Sequence, residues 1–328
     1  MKDLPRFLEN IPSVYIVYDR NVGQYLRDIA PDRPAFPIDA SEQNKNLLTV
    51  ERICRFLLEN GAGRDSLVLG VGGGITTDIA GFAASVYKRG VRYAVVPTSL
   101  LAMVDAGTGG KTGVNLDGYK NILGAFKQPL YTFIYPEFLQ TLPEREFRAG
   151  SAELLKTFII DDRNDYEKAV AVLRKQAPTV GEIAPLIKSA ADIKERIVSR
   201  DPYEQGRRRV LNLGHTIAHA IEWRQNSDPD GRQETLYSHG EAVAIGIIWT
   251  ARRSEALHSA HPGVAAELES DFRSCCLPTA LPYPVPELKE AACRDKKVEQ
   301  GMIYEPLIRK IGRVDIVRTN IEDLFSQE

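Results

Sequence analysis

The chain has 328 residues, 42 basic against 44 acidic side chains, a formal net charge of −2 and 43% hydrophobic residues. That length buries a sizeable core in one large α/β domain or in two domains. The balanced charge and a pI near 6.3 argue against nucleic acid or a membrane surface as partner, since both call for a basic excess.

In chain order, Ser13 to Tyr18 is a β-branched and aromatic run that predicts a strand ending at Asp19. Thr49 to Asn60 carries Ile53, Phe56 and Leu57 at helical spacing and stops at Asn60-Gly61. Ser66 to Val71 predicts a buried strand running into Gly72-Gly73-Gly74. Thr77 and Asp78 then precede an Ala-rich helix through Ser85, and Arg92 to Val96 is a strand closed by Pro97. Strands alternating with helices imply βαβ units and a parallel sheet covered on both faces.

From Arg145 to about Leu268 the pattern is mostly helical, with long stretches at Ile183–Val198 and Glu241–Leu257 and loop signals at Asp201-Pro202 and Asn226–Gly231. The expectation is α/β: a Rossmann-like parallel-sheet domain over 1–146, then a mostly α-helical domain over 147–328. No apolar run approaches the roughly 18 residues of a membrane span. The start carries Asp3 and Glu9 without an export signal. Cys54, Cys275, Cys276 and Cys293 form no CxxC pair and read as reduced thiols of a cytoplasmic protein.

Several clusters carry chemistry. The turn Gly70-Val71-Gly72-Gly73-Gly74-Ile75 lies between a predicted strand and helix, where backbone amides and a helix dipole meet a phosphate. It is not the usual dinucleotide fingerprint, because the third glycine falls at Ile75; a tight turn without ligand is the plain alternative. Gly109-Gly110-Lys111-Thr112 resembles the end of a P-loop. The required earlier glycine is Asp105, which would repel a triphosphate, so a nucleoside triphosphatase is rejected. Lys111 with Lys120-Asn121 remains able to hold a phosphate monoester, or to sit exposed in a loop.

Three of the five histidines, His215, His219 and His239, lie within 25 residues. His215 and His219 share a helical face at a spacing suited to a metal. Asn212 and Glu222 supply polar groups near that face, and spacing alone leaves open which histidines bind and which moves protons. Glu153 and Lys156 share a face at i, i+3, most often a surface pair. Lys194 and the run Gly206-Arg207-Arg208-Arg209 flank the histidines.

Together GGGITTDIAGFAASVYKRG (72–90), VPTSLLAMVDAGTGGKTGVN (96–115), KNILGAFKQP (120–129), TLPEREFRAGSAELLK (141–156), LNLGHTIAHAIE (211–222), HGEAVAIG (239–246) and RDKK (294–297) resemble the 3-dehydroquinate synthase family of sugar-phosphate cyclases. The resemblance implies an NAD- and divalent-metal-dependent enzyme (zinc or cobalt) of the shikimate pathway, a homodimer, acting on a small sugar-phosphate substrate. It would turn 3-deoxy-D-arabino-heptulosonate 7-phosphate into 3-dehydroquinate and phosphate. The family's Gly-His-Thr-Phe-Gly-His reads Gly-His-Thr-Ile-Ala-His here, with Ile217 and Ala218 as the departures.

By position, the resemblance makes Glu153, His215 and His239 the metal ligands and His219 a non-ligand active-site histidine. It makes Asp105, Lys156, Asn212 and His219 catalytic, His219 assisting proton movement. Lys111, Asn121 and one of Lys296 and Lys297 would hold the phosphate, with Lys120 beside them and Arg89 near it, across the dimer. Lys194 and Arg208 match the positions that hold the substrate carboxylate. Gly73, Gly74, Ile75, Asp78, Thr98, Ser99, Asp105, Lys111, Lys120, Phe138, Thr141, Leu142 and Glu146 match the NAD surface, with Asp19, Glu42 and Lys45 at the adenosine.

Three rivals are weighed. A cousin cyclase acting on a neutral sugar phosphate would have no carboxylate for Lys194 and Arg208 to neutralise. A metal-dependent polyol dehydrogenase would not need Lys111, Lys120 and Asn121 for phosphate. A non-catalytic NAD-binding protein would be marked by a lost metal ligand, and none is lost.

Overall fold

The computed structural model describes residues 3–117, 119–175, 177–226, 237–293 and 300–325. The chain divides into two compact units, residues 1–143 and 144–328.

The first unit contains α1 (Asp3–Glu9), β1 (Val14–Asp19), α2 (Leu26–Ile29), β2 (Ala35–Ile38), α3 (Leu47–Glu59), β3 (Leu67–Gly72), α4 (Gly74–Val86), β4 (Arg92–Pro97), β5 (Lys111–Leu116) and β6 (Tyr119–Phe126). Four strands form a parallel sheet in the order β2-β1-β3-β4, with Ile16 opposite Leu69 and Leu69 opposite Ala94. Every residue of β3 is buried, as its continuous apolar run requires of a central parallel strand. Ile53 and Leu57 of α3 and Ile79, Ala80, Ala83 and Ala84 of α4 pack with β1 and β3 residues into one core. The alanines of α4 let it lie close to the sheet: a Cβ on Gly70 would meet that of Ala80 at 3.0 Å.

Strands 13–18, 66–71 and 92–96 are found with ends shifted by one residue or none, as β1, β3 and β4. The helix expected after Asp78 begins earlier, at Gly74. Gly73 is its N-cap in extended backbone, and the Thr77 amide closes the first turn on the Gly73 carbonyl at 3.0 Å. Thr77 and Asp78 therefore lie inside the helix. The lysines expected in a loop stand on strands: β5 and β6 form an antiparallel ribbon pairing Lys111 with Phe126.

The second unit contains α5 (Glu144–Asp161), α6 (Arg163–Leu173), α7 (Val180–Arg200), α8 (His215–Asn226), α9 (His239–Ala256), α10 (Val264–Ser274), α11 (Val285–Ala292), β7 (Met302–Lys310) and β8 (Arg313–Asn320). The helix α5 is buried continuously from Arg148 to Ile160, and α6, α7 and α9 pack around it. The expected helical stretches are α7 and α9; the β7–β8 hairpin, turning at Gly312 with φ +88°, is an addition. Among the described residues no helix is long and apolar enough to cross a membrane. Most of the loop expected at 226–231, and Lys296 and Lys297, lie outside the described residues.

Candidate active site

In the first unit, most of the residues matched to NAD gather beyond the carboxyl ends of the parallel strands, where open α/β sheets hold ligands. Asp19 ends β1 and accepts from the Asn21 amide at 3.0 Å; burial, reinforced by Asp39, raises its pKa. Gly73 follows β3, and Thr98 follows β4 with its amide donating to the Gly72 carbonyl at 2.9 Å. A Cβ on Gly73 would meet Ser99 Oγ at 3.3 Å, and one on Gly74 would meet the Ala106 Cβ at 3.2 Å, so the turn packs closely and its backbone is left bare. Ile75 is half-buried in the same turn.

Lys45, itself buried, donates to Asp78 Oδ2 at 2.5 Å. Burial pushes the Asp78 carboxyl up, and Lys45 opposes that. Asn115 Nδ2 donates to Glu42 Oε2 at 2.8 Å. Asp105 lies in a short π-helical turn, Ala102–Ala106. Phe138 and Thr141 belong to a 3-10 turn, Pro136–Thr141, and both meet Tyr25: ring centroids lie 5.2 Å apart, and the phenol donates to Thr141 Oγ1 at 3.3 Å. Leu142 follows directly, whereas Glu146 is exposed on α5 of the second unit.

The phosphate candidates lie on the ribbon. Lys111 opens β5, Lys120 is half-buried on β6, and Asn121 holds φ +51° while its amide donates to Asn115 Oδ1 at 2.9 Å. Asparagine tolerates that left-handed backbone. Arg89 is exposed beyond the far end of α4. The length of that helix, about 20 Å at 1.5 Å per residue, separates it from the glycine turn of its own chain.

The second unit brings three helices to one point. Glu153 comes from the middle of α5, His215 from the first residue of α8 and His239 from the first residue of α9. One ligand atom from each lies within 4.8 Å of the others. His239 Nε2 is 3.4 Å and His215 Nε2 3.8 Å from Glu153 Oε1. The Glu153 carboxylate is 0% exposed, so a metal there is shielded from bulk water on that side. Position is fixed locally. Ser238 and Glu241 form a capping box that starts α9 at His239. Gly214, at φ +78°, lets α8 begin against α9, since a Cβ there would stand 2.7 Å from the Ile247 amide nitrogen.

The outer nitrogens of both rings are held. His215 Nδ1 lies 3.1 Å from the Leu213 carbonyl, and His239 Nδ1 lies 3.1 Å from Glu222 Oε1. That leaves each Nε2 turned to Glu153, the arrangement found around ligating histidines. Burial works against the charged form of His239, but Glu222 and Glu153 more than reverse it and push its pKa up to about 10. A field that favours positive charge at this point suits a divalent cation. One carboxylate and two imidazoles with open positions are a donor set suited to catalytic zinc.

Lys156, 1% exposed, forms an ion pair with Glu153 inside the protein, so this is no surface pair. His219 is outside the ligand cluster, its ring centroid 5.6 Å from that of His215. Lys194 on α7 and Arg208 in the turn Arg207–Asn212 are also buried. Both elements pack on α5. Arg208 donates to the Pro202 carbonyl at 2.5 Å, and Asn212 donates to Glu204. Sequence reasoning passed over Gly214 and Gly246, whose backbones meet where α9 crosses the start of α8.

Two family models match the chain, "3-dehydroquinate synthase N-terminal" over residues 35–149 and "3-dehydroquinate synthase C-terminal" over residues 150–298. Relatives named 3-dehydroquinate synthase include one from Pyrococcus abyssi, 41% identical over 86% of this chain and 81% of its own length. Another, from Acidithiobacillus ferrooxidans, is 39% identical over 91% and 83%. Among solved structures, the 2-epi-5-epi-valiolone synthase of Streptomyces hygroscopicus, with NAD+ and Zn2+ bound, aligns with a TM-score of 0.85 at 28% identity, covering 98% of this chain and 92% of that one. A 2-deoxy-scyllo-inosose synthase with NAD+ and Co2+ aligns at 0.84 and 23% identity over the same shares, which speaks to the fold.

Proposed function

The chain belongs to the 3-dehydroquinate synthase family, and we propose that it converts 3-deoxy-D-arabino-heptulosonate 7-phosphate into 3-dehydroquinate and phosphate. The observation that carries this reading is the Glu153, His215 and His239 cluster, with ligand atoms within 4.8 Å of one another. These residues would hold zinc or cobalt, and the carboxyl edge of the parallel sheet would hold NAD. When bound, the metal would acidify the substrate hydroxyl and NAD would take up and return a hydride, leaving no net oxidation.

The chain's own residues would do the rest. Lys156 sets a positive charge against the Glu153 carboxylate from inside the fold. His219, one turn beyond His215, would move a proton at the substrate hydroxyl. Lys111, Lys120 and Asn121 supply charge and an amide for the phosphate, joined by one of Lys296 and Lys297. Asp105 and Asn212 complete the catalytic set.

Lys194 and Arg208 would take the substrate carboxylate. Their burial supports this, because cations held out of water favour an anionic ligand. We assign NAD to residues 1–146 and the metal to 147–328. The cytoplasm is the expected compartment, with Cys54, Cys275, Cys276 and Cys293 all free. We also expect a homodimer. Leu116, Tyr119, Ile122 and Phe126 expose apolar surface on the ribbon, and an Arg89 remote from its own glycine turn suits action on a neighbouring copy.

The test is phosphate release from the heptulosonate phosphate with catalytic NAD, with and without chelator, alongside His215→Ala. Many turnovers per NAD, lost with chelator and in the variant, are expected. NADH formed stoichiometrically without phosphate, or activity confined to glucose 6-phosphate or a neutral heptulose phosphate, would overturn the reading.

A further inference from the structure

The geometry points to Glu222 as the residue that positions His239 for the metal, an inference that rests on the metal reading above. Glu222 stands on α8 seven residues after His215 and three after His219, so all three share one helical face. Its carboxylate is 4% exposed, and burying a carboxylate costs several kcal/mol unless its oxygens are engaged. Oε1 lies 3.1 Å from His239 Nδ1.

The contact falls on the far side of the ring from Glu153. A neutral imidazole, the form that binds a metal, presents a bare Nε2 when its Nδ1 donates to a carboxylate, and Nε2 is the atom 3.4 Å from Glu153 Oε1. The carboxylate thereby selects the tautomer, fixes the ring plane and strengthens the nitrogen as a ligand. Glu222 is outside the group whose ligand atoms converge, so it acts through His239. His215 gets the same support from the Leu213 carbonyl, which no side-chain substitution removes. His239 depends on a side chain.

Zinc affinity of the purified full chain, measured by competition with a chromophoric chelator, tests this without reference to turnover. The Co2+ visible spectrum reports ligand geometry in parallel. Glu222→Gln keeps an oxygen acceptor but loses its charge and is expected to weaken zinc about 10-fold; Glu222→Ala removes both and is expected to cost about 100-fold. The Co2+ bands should change in the same order.

Glu182→Ala removes a carboxylate from the capping box of α7, a helix that bears no metal ligand. It is expected to lower the unfolding midpoint and leave zinc affinity within about twofold, as a merely structural role of Glu222 would also do. Zinc affinity within about twofold of wild type in either Glu222 variant overturns the inference, and Glu222→Gln decides alone if Glu222→Ala does not fold. A wild-type chain that fails to bind zinc would overturn the metal reading itself, and this inference with it.

Discussion

Two glycines show how closely the ligand-bearing helices approach, and Gly240→Ala gives the sharpest prediction. Gly240 follows His239 on α9, and a Cβ added there would stand 1.9 Å from the Ala149 carbonyl oxygen of α5, with Ala149 C and Cα next at 2.5 and 2.8 Å. All three atoms are backbone, so no side chain can rotate away. Restoring ordinary contact at 3.4 Å requires the helices to part by about 1.5 Å, an overpacking whose cost reaches or exceeds about 3 kcal/mol, the upper end of the usual range. Ala149 is one turn before Glu153. The separation therefore falls directly on the Glu153–His239 pair, now 3.4 Å apart, whereas metal–ligand distances tolerate about 0.2 Å.

Urea unfolding of the metal-free protein should show the midpoint lowered by on the order of 1 M, and chelator competition should show zinc binding weakened at least 10-fold. Gly181→Ala is the control. It lies in the first turn of α7 with nothing within 4 Å of its added Cβ, and should stabilise by about 0.4–1 kcal/mol. A Gly240→Ala protein with wild-type midpoint and zinc affinity would refute the close-contact reasoning.

Arg208→Leu should lower kcat/KM for the heptulosonate phosphate by about 10- to 150-fold, the value of a hydrogen bond to a charged group; steady-state kinetics would show it, and an unchanged kcat/KM would remove Arg208 from the carboxylate site. Zinc at 100 times its Kd should stabilise the protein by about 2.7 kcal/mol, read as a chelator-reversible rise in melting temperature that His239→Ala abolishes. Glu182 caps α7, and Lys175 with Thr179 holds its pKa near 2 against an ordinary 4.5. Its stabilising effect is therefore full above about pH 4.5 and fades as pH falls towards 2. The stability gap between wild type and Glu182→Gln in urea should be present at pH 7 and shrink below pH 4; a gap that widens in acid would contradict the assignment. Light scattering should report a dimer, and Tyr119→Ser with Ile122→Ser should shift it towards monomer.

Where packing repeats a period, the sequence is legible. β1, β3 and β4 carry β-branched runs, and α3 shows its Ile53, Leu57 face, so the parallel sheet could be read directly. The ribbon was not, because KTGVNL and YKNILGAF are interrupted by Gly113 and Gly124. Added Cβ atoms there would stand 2.6 Å from the Leu123 carbonyl oxygen and 2.4 Å from that of Thr112, so these glycines serve strand approach and look like loop residues. The β7–β8 hairpin did leave a signal, short apolar runs on either side of Ile311-Gly312. At the site, spacing put Glu153 and Lys156 on one face but could not say what covers it; only the enclosure of α5 turns a routine pair into a buried one. Glu222 was visible on the histidine face of α8. Its partner, His239, is 17 residues later on another helix, and local periodicity carries no information about such a contact.

Gly214 and Gly246 connect these observations. A Cβ on Gly246 would lie 2.0 Å from the Gly214 carbonyl oxygen, while Gly214 itself holds φ +78° immediately before His215. The site therefore depends on two backbone approaches, α9 to α5 at Gly240 and α9 to the start of α8 at Gly246, and α9 is common to both. A residue with a side chain at either glycine would move His239 relative to one of its two fellow ligands. Substrate choice lies in neither place. A valiolone synthase and an inosose synthase share this fold at TM-scores of 0.85 and 0.84, so the scaffold alone does not select a carboxylate. That selection has to come from side chains with a charge to offer, and we propose that Lys194 and Arg208, buried on elements that pack against α5, make it.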